Sequence, residues 1–342
     1  MEYTLLLWPH ANARYQAETR RLAQAELQLM LARLMPEAGV RIEEAAMPSL
    51  SIATPRPLSD EAIRAIRWHS LLYGLFERRP DGSLMPLAGR AEAFLGADLP
   101  SVLKYKGKTN ELFLHLMINV ALYAGNYWRE AGRLNMLDPM CGRATAPFIA
   151  VNRGWDVTGS DIDRGDLKEA EQYFRHYLEY HRFKHAVSRE SRTIQGKKPV
   201  PVTRFEFAAD PSRYRDGARA TLRLLHLDAA LLGDALERNA FHIVVCDLPY
   251  GIRHDARLAP DGRSSKNWLE TLLVQTLQGV RRVLKPGAAA VLSFNAQTFP
   301  LEKLRGIMHE AGLQPLTGGP YDQFEHWVEQ AITRNIAVCI KE

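Results

Sequence analysis

The strongest constraint on the fold is a set of three short apolar runs that each stop at an aspartate: LNMLD (134–138), VTGSD (157–161) and FHIVVCD (241–247). Such runs, bounded by Gly and Pro and separated by amphipathic stretches, read as buried strands alternating with helices. The intervening helical stretches are NELFLHLMINVALYAG (110–125), APFIAVNRG (146–154), LKEAEQYFRHYLEYHRF (167–183), NWLETLLVQTLQGVRRVL (267–284) and LEKLRGIMHEAG (301–312). Further strands are expected in TRFEFA (203–208), TLRLLHLD (221–228), AAAVLSFN (288–295) and ITRNIAVCIK (332–341). This alternation predicts an α/β fold with a mostly parallel sheet covered on both faces.

The first 95 residues follow another pattern. YTLLLW (3–8) reads as a strand, Ala13–Leu34 as a long amphipathic helix, and VRIEEAAMPSLSIATP (40–55) as one or two strands. SDEAIRAIRWHSLLYGLF (59–76) opens with a Ser-Asp cap and continues with helical apolar spacing. A small α/β domain over 1–95 is therefore expected, with a Pro- and Gly-spotted linker from Pro86 to Pro100 and a second domain over 101–342. The chain has 342 residues, 46% of them hydrophobic, which is enough for a sizeable core. Three scattered cysteines with no CxxC or HExxH argue against a metal site or a disulfide framework. The N-terminus lacks the basic segment of a signal peptide, and no apolar stretch is long enough to cross a bilayer, so a cytoplasmic protein is expected.

In a doubly wound sheet, ligands bind beyond the carboxyl ends of the strands. There the loop DPMCGRAT (138–145) turns into a helix, with Gly142 allowing close approach to the backbone. Asp161 closes the neighbouring strand, where a carboxylate can accept from both hydroxyls of a ribose. Asp163 is its fallback, although a helix N-cap suits Asp163 or Asp166 better. The third loop, DLPY (247–250), joins an acceptor (Asp247), the Leu248 carbonyl, the rigid Pro249 and the aromatic face of Tyr250. That combination suits a planar base whose exocyclic amine must be held by both of its hydrogens.

DPMCGRAT, GSDID and DLPYG, in this order, resemble the amino-methyltransferase branch of the Rossmann-like, class I S-adenosylmethionine enzymes. More narrowly they are similar to the tRNA guanine-N2 methyltransferases found with THUMP domains, over roughly residues 101–342, and VLKPG (283–287) fits as well. The resemblance implies S-adenosylmethionine as cofactor. Asp138 would meet the methionine amino group, and Cys141, Gly142 and Thr145 would line the cofactor loop. Asp161 would hold the ribose, and Asp228, with Asp234 as rival, the adenine amine. Asp247, Leu248, Pro249 and Tyr250 would hold the target amine. Thr109 or Asn110 would touch the methionine carboxylate, unless Asn110 is only a helix cap. Arg143 departs from the family's small residues and would either pair with that carboxylate or narrow the pocket. The first hundred residues are too short for the family's full N-terminal half and read as its ferredoxin-like portion, without a complete THUMP domain.

The net charge of +5 is concentrated between His181 and Arg204: Arg182, Lys184, Arg189, Arg192, Lys197, Lys198 and Arg204 face the single acid Glu190. With Lys104, Lys106, Lys108, Arg253 and His254, this basic insertion implies an RNA partner bound through its phosphates. The expected activity is methylation of an exocyclic base amine in RNA, with guanine N2 of tRNA first. A DNA adenine or cytosine amino-methyltransferase and a non-catalytic, cofactor-binding RNA-interaction protein are the alternatives.

Overall fold

The structure is a computed structural model that describes residues 1–9, 13–43, 47–105, 107–130, 132–194, 198–249 and 268–342. Among these residues the chain forms two sheets, one of five and one of ten strands.

The first sheet comprises β1 (Glu2–Leu7), β2 (Gly39–Glu43), β3 (Ser49–Ala53), β4 (Leu72–Arg78) and β5 (Leu84–Ala88), in the order β2-β3-β1-β4-β5. All its pairings are antiparallel. Helices α1 (Ala13–Leu34) and α2 (Asp60–Ile66) pack together over a core of Leu5, Leu27, Leu31, Ile52, Ile66 and Leu75. The first four strands and two helices thus form a ferredoxin-like βαββαβ unit. Ser59 caps α2, its side chain accepting from Ala62 N at 3.2 Å.

Two expectations change here. The stretch 59–76 is not one helix: α2 stops at Ile66, and the Trp68 and His69 amides close a turn onto Ala65 and Ile66. Ser70 N then donates to the Glu26 carboxylate at 2.8 Å, and Leu72–Arg78 pairs along β1. A distant strand overrides the local helical spacing, which short-range periodicity does not register. The expected linker is also partly strand, because Leu84–Ala88 adds an exposed edge to β4. An edge is where a strand tolerates a proline such as Pro86.

The second sheet contains β6 (Asn135–Asp138), β7 (Asp156–Asp161), β8 (His185–Ile194), β9 (Lys198–Phe207), β10 (Ala220–His226), β11 (Phe241–Asp247), β12 (Leu284–Asn295), β13 (Gln314–Pro315), β14 (His326–Glu329) and β15 (Ile332–Ile340). Its order is β13-β15-β12-β11-β6-β7-β10-β9-β8, with β14 on β15. The strands from β10 through β7, β6 and β11 to β12 are parallel. β15 runs antiparallel to β12. This is a Rossmann-like sheet. Helices α3 (Leu99–Val102), α4 (Glu111–Ala124), α5 (Thr145–Val151) and α6 (Arg164–Tyr180) precede or cross between its first strands. α7 (Pro211–Arg215), α8 (Leu232–Ala235), α9 (Trp268–Val283) and α10 (Leu301–Glu310) follow.

Helix α4 joins the two units. Its residues from Leu116 to Ala124 are all buried, as an almost wholly apolar helix must be. One side packs on α1 of the small unit and the other on α5, β11, β12 and β15 of the large sheet.

The basic insertion is a long hairpin, β8 and β9, whose second strand joins β10. Alternation buries Val187, Phe205 and Phe207 toward one face, and Ile194, Val200 and Val202 toward the other. The charged residues interleaved in β8 hid that pattern.

Candidate active site

The strand order reverses between β6 and β11: from β6 the chain moves to β7 and β10 on one side, then to β11 and β12 on the other. A crevice at such a switch point lies outside the carboxyl ends of the strands. Asp138 ends β6 and Asp247 ends β11, so the two carboxylates flank it.

The register places the acids further. Asp138 lies level with Gly159 of β7, and Ile243 of β11 is level with Met136. Asp161 and Asp247 therefore each stand two residues beyond the level of Asp138, on the same face of the sheet. His226 pairs with Asp161, so Asp228 follows at the same edge. This face is the one covered by α4, α5 and α6, because Met136, Val157, Leu224 and Val245 share their core with those helices.

Asp138 is 4% exposed and accepts Met140 N at 3.2 Å. Burial pushes its carboxyl well above the usual range, and the Asp161 and Asp247 charges push it further. Asp161 accepts Gly142 N at 2.7 Å and Asp163 N at 2.8 Å. Burial nevertheless raises its carboxyl, helped by Asp166 and Asp163. In the loop between them, Gly142 has φ +49° and Ala144 φ 64°, so both are left-handed. Ala144 occupies a conformation that costs an L-residue about 1–2 kcal/mol, with the smallest side chain that has a Cβ. A Cβ on Gly159 would lie 2.8 Å from Cys141 Sγ, so the glycine of VTGSD lets the two strand-end loops close together. Burial raises the Cys141 thiol well above its ordinary range, which leaves it a small packing residue.

The remaining candidates divide. Asp163 is the N-cap of α6, accepting Gly165 N at 2.7 Å, which removes it as the fallback for Asp161. Asp228 accepts Ala230 N at 3.0 Å at the strand edge, while Asp234 is exposed on α8. Thr145 is buried at the start of α5, its Oγ1 3.1 Å from the Tyr105 hydroxyl. Asn110 caps α4 through Leu112 N at 2.8 Å. Thr109 Oγ1 donates to Asp247 Oδ2, a different carboxylate from the one the resemblance implies. Arg143 reaches Asp166 at 2.9 Å and Glu169 at 2.9 Å, and lies 4.6 Å over the Tyr105 ring. Its charge is thus balanced within the protein.

Asp247 Oδ1 accepts from Ser293 Oγ, on the neighbouring strand β12. Leu248 is buried, its N donating to Ser293 O at 3.0 Å, and Pro249 is half-buried. Tyr250, Arg253, His254, Lys106 and Lys197 lie outside the described residues. The sequence reading missed Ser293 and Tyr105. Ser293 was visible as a lone hydroxyl inside the apolar run AAAVLSFN, but its partner lies on another strand.

Among the described residues, the basic side chains do not form one patch. Arg189 approaches Glu171 of α6 at 3.9 Å on one face of the hairpin. Arg192 approaches Glu237 at 4.0 Å, and Arg204 pairs with Glu206 at 2.7 Å, on the other face. Arg182 and Lys184 are exposed at the hairpin's base, where His185 pairs with Phe207 and Phe207 with Ala220, the first residue of β10. That is the end of the sheet away from the four acids. Lys198 stands at the other end of the hairpin, past the last β9–β10 pair, Val202 with Leu225. Among the described residues no group of three His, Cys, Asp or Glu could hold a metal ion, and no helix is long and apolar enough to cross a membrane.

No protein-family model matches the chain, and no curated protein matches it. Solved structures do. A precorrin-6y C5,15-methyltransferase from Geobacter metallireducens is similar at 12% identity and TM-score 0.42, over 72% of this chain and 98% of that one. The magnesium protoporphyrin IX methyltransferase of Synechocystis, solved with bound S-adenosylmethionine, is similar at 15% and 0.38, over 72% and 90%. A TehB-like S-adenosylmethionine-dependent methyltransferase from Corynebacterium glutamicum is similar at 18% and 0.36, over 62% and 83%. The fold itself rests on the strand order, which is Rossmann-like.

Proposed function

We propose that the chain is an S-adenosylmethionine-dependent methyltransferase acting on an exocyclic base amine of RNA, with guanine N2 of tRNA as the first candidate. The observation that carries this reading is Asp247, the acid of DLP, held at the switch point across from Asp138. Asp138 suits the cofactor's ammonium, because a buried carboxylate pushed up by neighbouring acids gains most from a cation. Asp161 and the left-handed Gly142 loop suit the ribose. Asp228 suits the adenine amine.

The cofactor supplies an electrophilic methyl group on a sulfonium. Asp247 and the Leu248 carbonyl would accept the hydrogens of the target amine and turn its lone pair toward that methyl. As the C–N bond formed, the C–S bond would break to leave a thioether, and the nitrogen's surplus proton would pass to Asp247 or water. Pro249 stiffens the turn that carries the acceptor. The small ferredoxin-like N-terminal unit and the sequence likeness to the tRNA family favour RNA over DNA.

The test is transfer of labelled methyl to bulk tRNA, rRNA and duplex DNA, followed by nucleoside digestion. Label is expected in N2-methylguanosine. Asp247→Ala should lower transfer by about 10²–10³-fold while leaving cofactor affinity intact. Label in DNA alone, or cofactor binding with no transfer to any of the three, would overturn the reading.

A further inference from the structure

The Asp247 carboxylate accepts one hydroxyl on each oxygen: Thr109 Oγ1 on Oδ2 and Ser293 Oγ on Oδ1. Ser293 is wholly buried and sits at the register position of Asp247 on β12. Thr109 comes from elsewhere, the strap between α3 and α4, described at Leu103–Tyr105 and Gly107–Thr109. Its hydroxyl is not needed as a helix cap, since Asn110 already caps α4. At the strap's other end, Tyr105 stands 3.1 Å from Thr145 Oγ1 and lies under the Arg143 guanidinium. Lys108 Nζ fixes the strap to Pro100 O at 2.6 Å and to Glu111. The strap thus bridges the Gly142 loop and the DLP turn.

We infer that Thr109 and Ser293 are positioning residues for Asp247, and that Thr109 makes the orientation of that carboxylate depend on the seating of the strap. The inference rests on the reading of Asp247 as the acceptor of the target amine. A carboxylate has roughly four acceptor sites, two on each oxygen. One hydroxyl on each oxygen orients the plane of the group that, on this reading, is presented to the amine beside the Leu248 carbonyl. Without Thr109 the carboxylate loses the hydroxyl on Oδ2 that ties it to the strap, and a displacement of about 1 Å at a reacting group can cost roughly 10²-fold.

The experiment compares wild type, Thr109→Val, Thr109→Ser and Ser293→Ala on whichever nucleic acid the wild type labels. Cofactor affinity is read by calorimetry and folding by circular dichroism. Thr109→Val should lower kcat by roughly 10–100-fold, with nucleic-acid KM and cofactor affinity within about twofold. Thr109→Ser should recover most of kcat. In an Asp247→Asn background, Thr109→Val should add nothing. Should Thr109→Val fold poorly, Thr109→Ala is judged by the same criteria. Wild-type kcat in Thr109→Val, or a Thr109→Ser as slow as Thr109→Val, overturns the inference while transfer by the wild type leaves the proposed function standing. A wild type that transfers to no nucleic acid removes the function and the inference together.

Discussion

Helix α4 meets two carboxylate clusters, and they are built on opposite principles. Midway along it, Asn119 donates to Glu26, which also accepts Ser70 N at 2.8 Å and the Ser70 hydroxyl. His69 lies 3.5 Å from the same carboxylate, and the Arg153 guanidinium closes the cluster through Asn119 Oδ1. Burial brings that guanidinium down to about 10. Just before the helix starts, Thr109 meets Asp247, beside Asp138 and Asp161. Glu26 has its partners inside the protein. Asp138 accepts one backbone amide at 3.2 Å and faces other acids. A saturated cluster holds two units together, whereas an unbalanced one is suited to receive a cation.

The largest expected effect comes from breaking the saturated cluster. Glu26→Ala strands Ser70 N, the Ser70 hydroxyl and one hydrogen of the Asn119 amide, whose other donates to Trp68 O, and should cost roughly 3–9 kcal/mol at 1–3 kcal/mol per buried orphan. The urea midpoint measures it. A loss under about 1 kcal/mol would mean that the cluster does not hold the small unit against α4.

The unbalanced cluster should respond with the opposite sign. The folded chain binds the Asp138 proton more tightly than the unfolded chain does, so this group's contribution is full below the ordinary carboxylate range. It is lost as pH rises from that range through the raised value. Asp138→Asn removes the loss, and should raise the cofactor-free Tm at pH 8 by roughly 2–4 °C for each kcal/mol recovered. The same change should weaken the cofactor by about 1.5–3 kcal/mol, the worth of a hydrogen bond to a charged group. A variant that is both less stable and unchanged in affinity would erase the contrast with Glu26.

Legibility in the sequence divides along the same lines. The acid-ended strands were readable because each apolar run and its terminal aspartate are contiguous, and Ala13–Leu34 is a helix over the residues expected. Asp163 as a cap was readable for the same reason. What depends on remote partners was not. β4 forms because β1 is there to pair with it, and β8 because β9 continues the sheet outward from β10. Ser293 and Thr109 meet at Asp247 from 46 and 138 residues away.

Arg143 carries a smaller prediction. Its partners Asp166 and Glu169 are 37% and 48% exposed, and such pairs contribute at most about 1 kcal/mol. Arg143→Ala should therefore change cofactor affinity by less than about fivefold, as titration calorimetry would show. A tenfold or greater loss would indicate that the guanidinium leaves its acidic partners for the cofactor's carboxylate.

The smallest effect is expected farthest from the acids. The strand β8 spans ten residues, so at about 3.3 Å per residue its ends lie roughly 30 Å apart. Arg182 and Lys184 stand at the end beside the start of β10, and Lys198 at the end beyond the last β9–β10 pair. On the proposed reading, an RNA whose base reaches Asp247 would run its phosphates nearer the second end than the first. The double substitution Arg182→Glu, Lys184→Glu should leave methyl transfer and its salt dependence within about twofold of wild type. Lys198→Glu should flatten the slope of log affinity against log salt by about 1. Equal losses at both ends would mean that the RNA wraps the hairpin along its length, and that the amino end of the sheet belongs to the binding surface too.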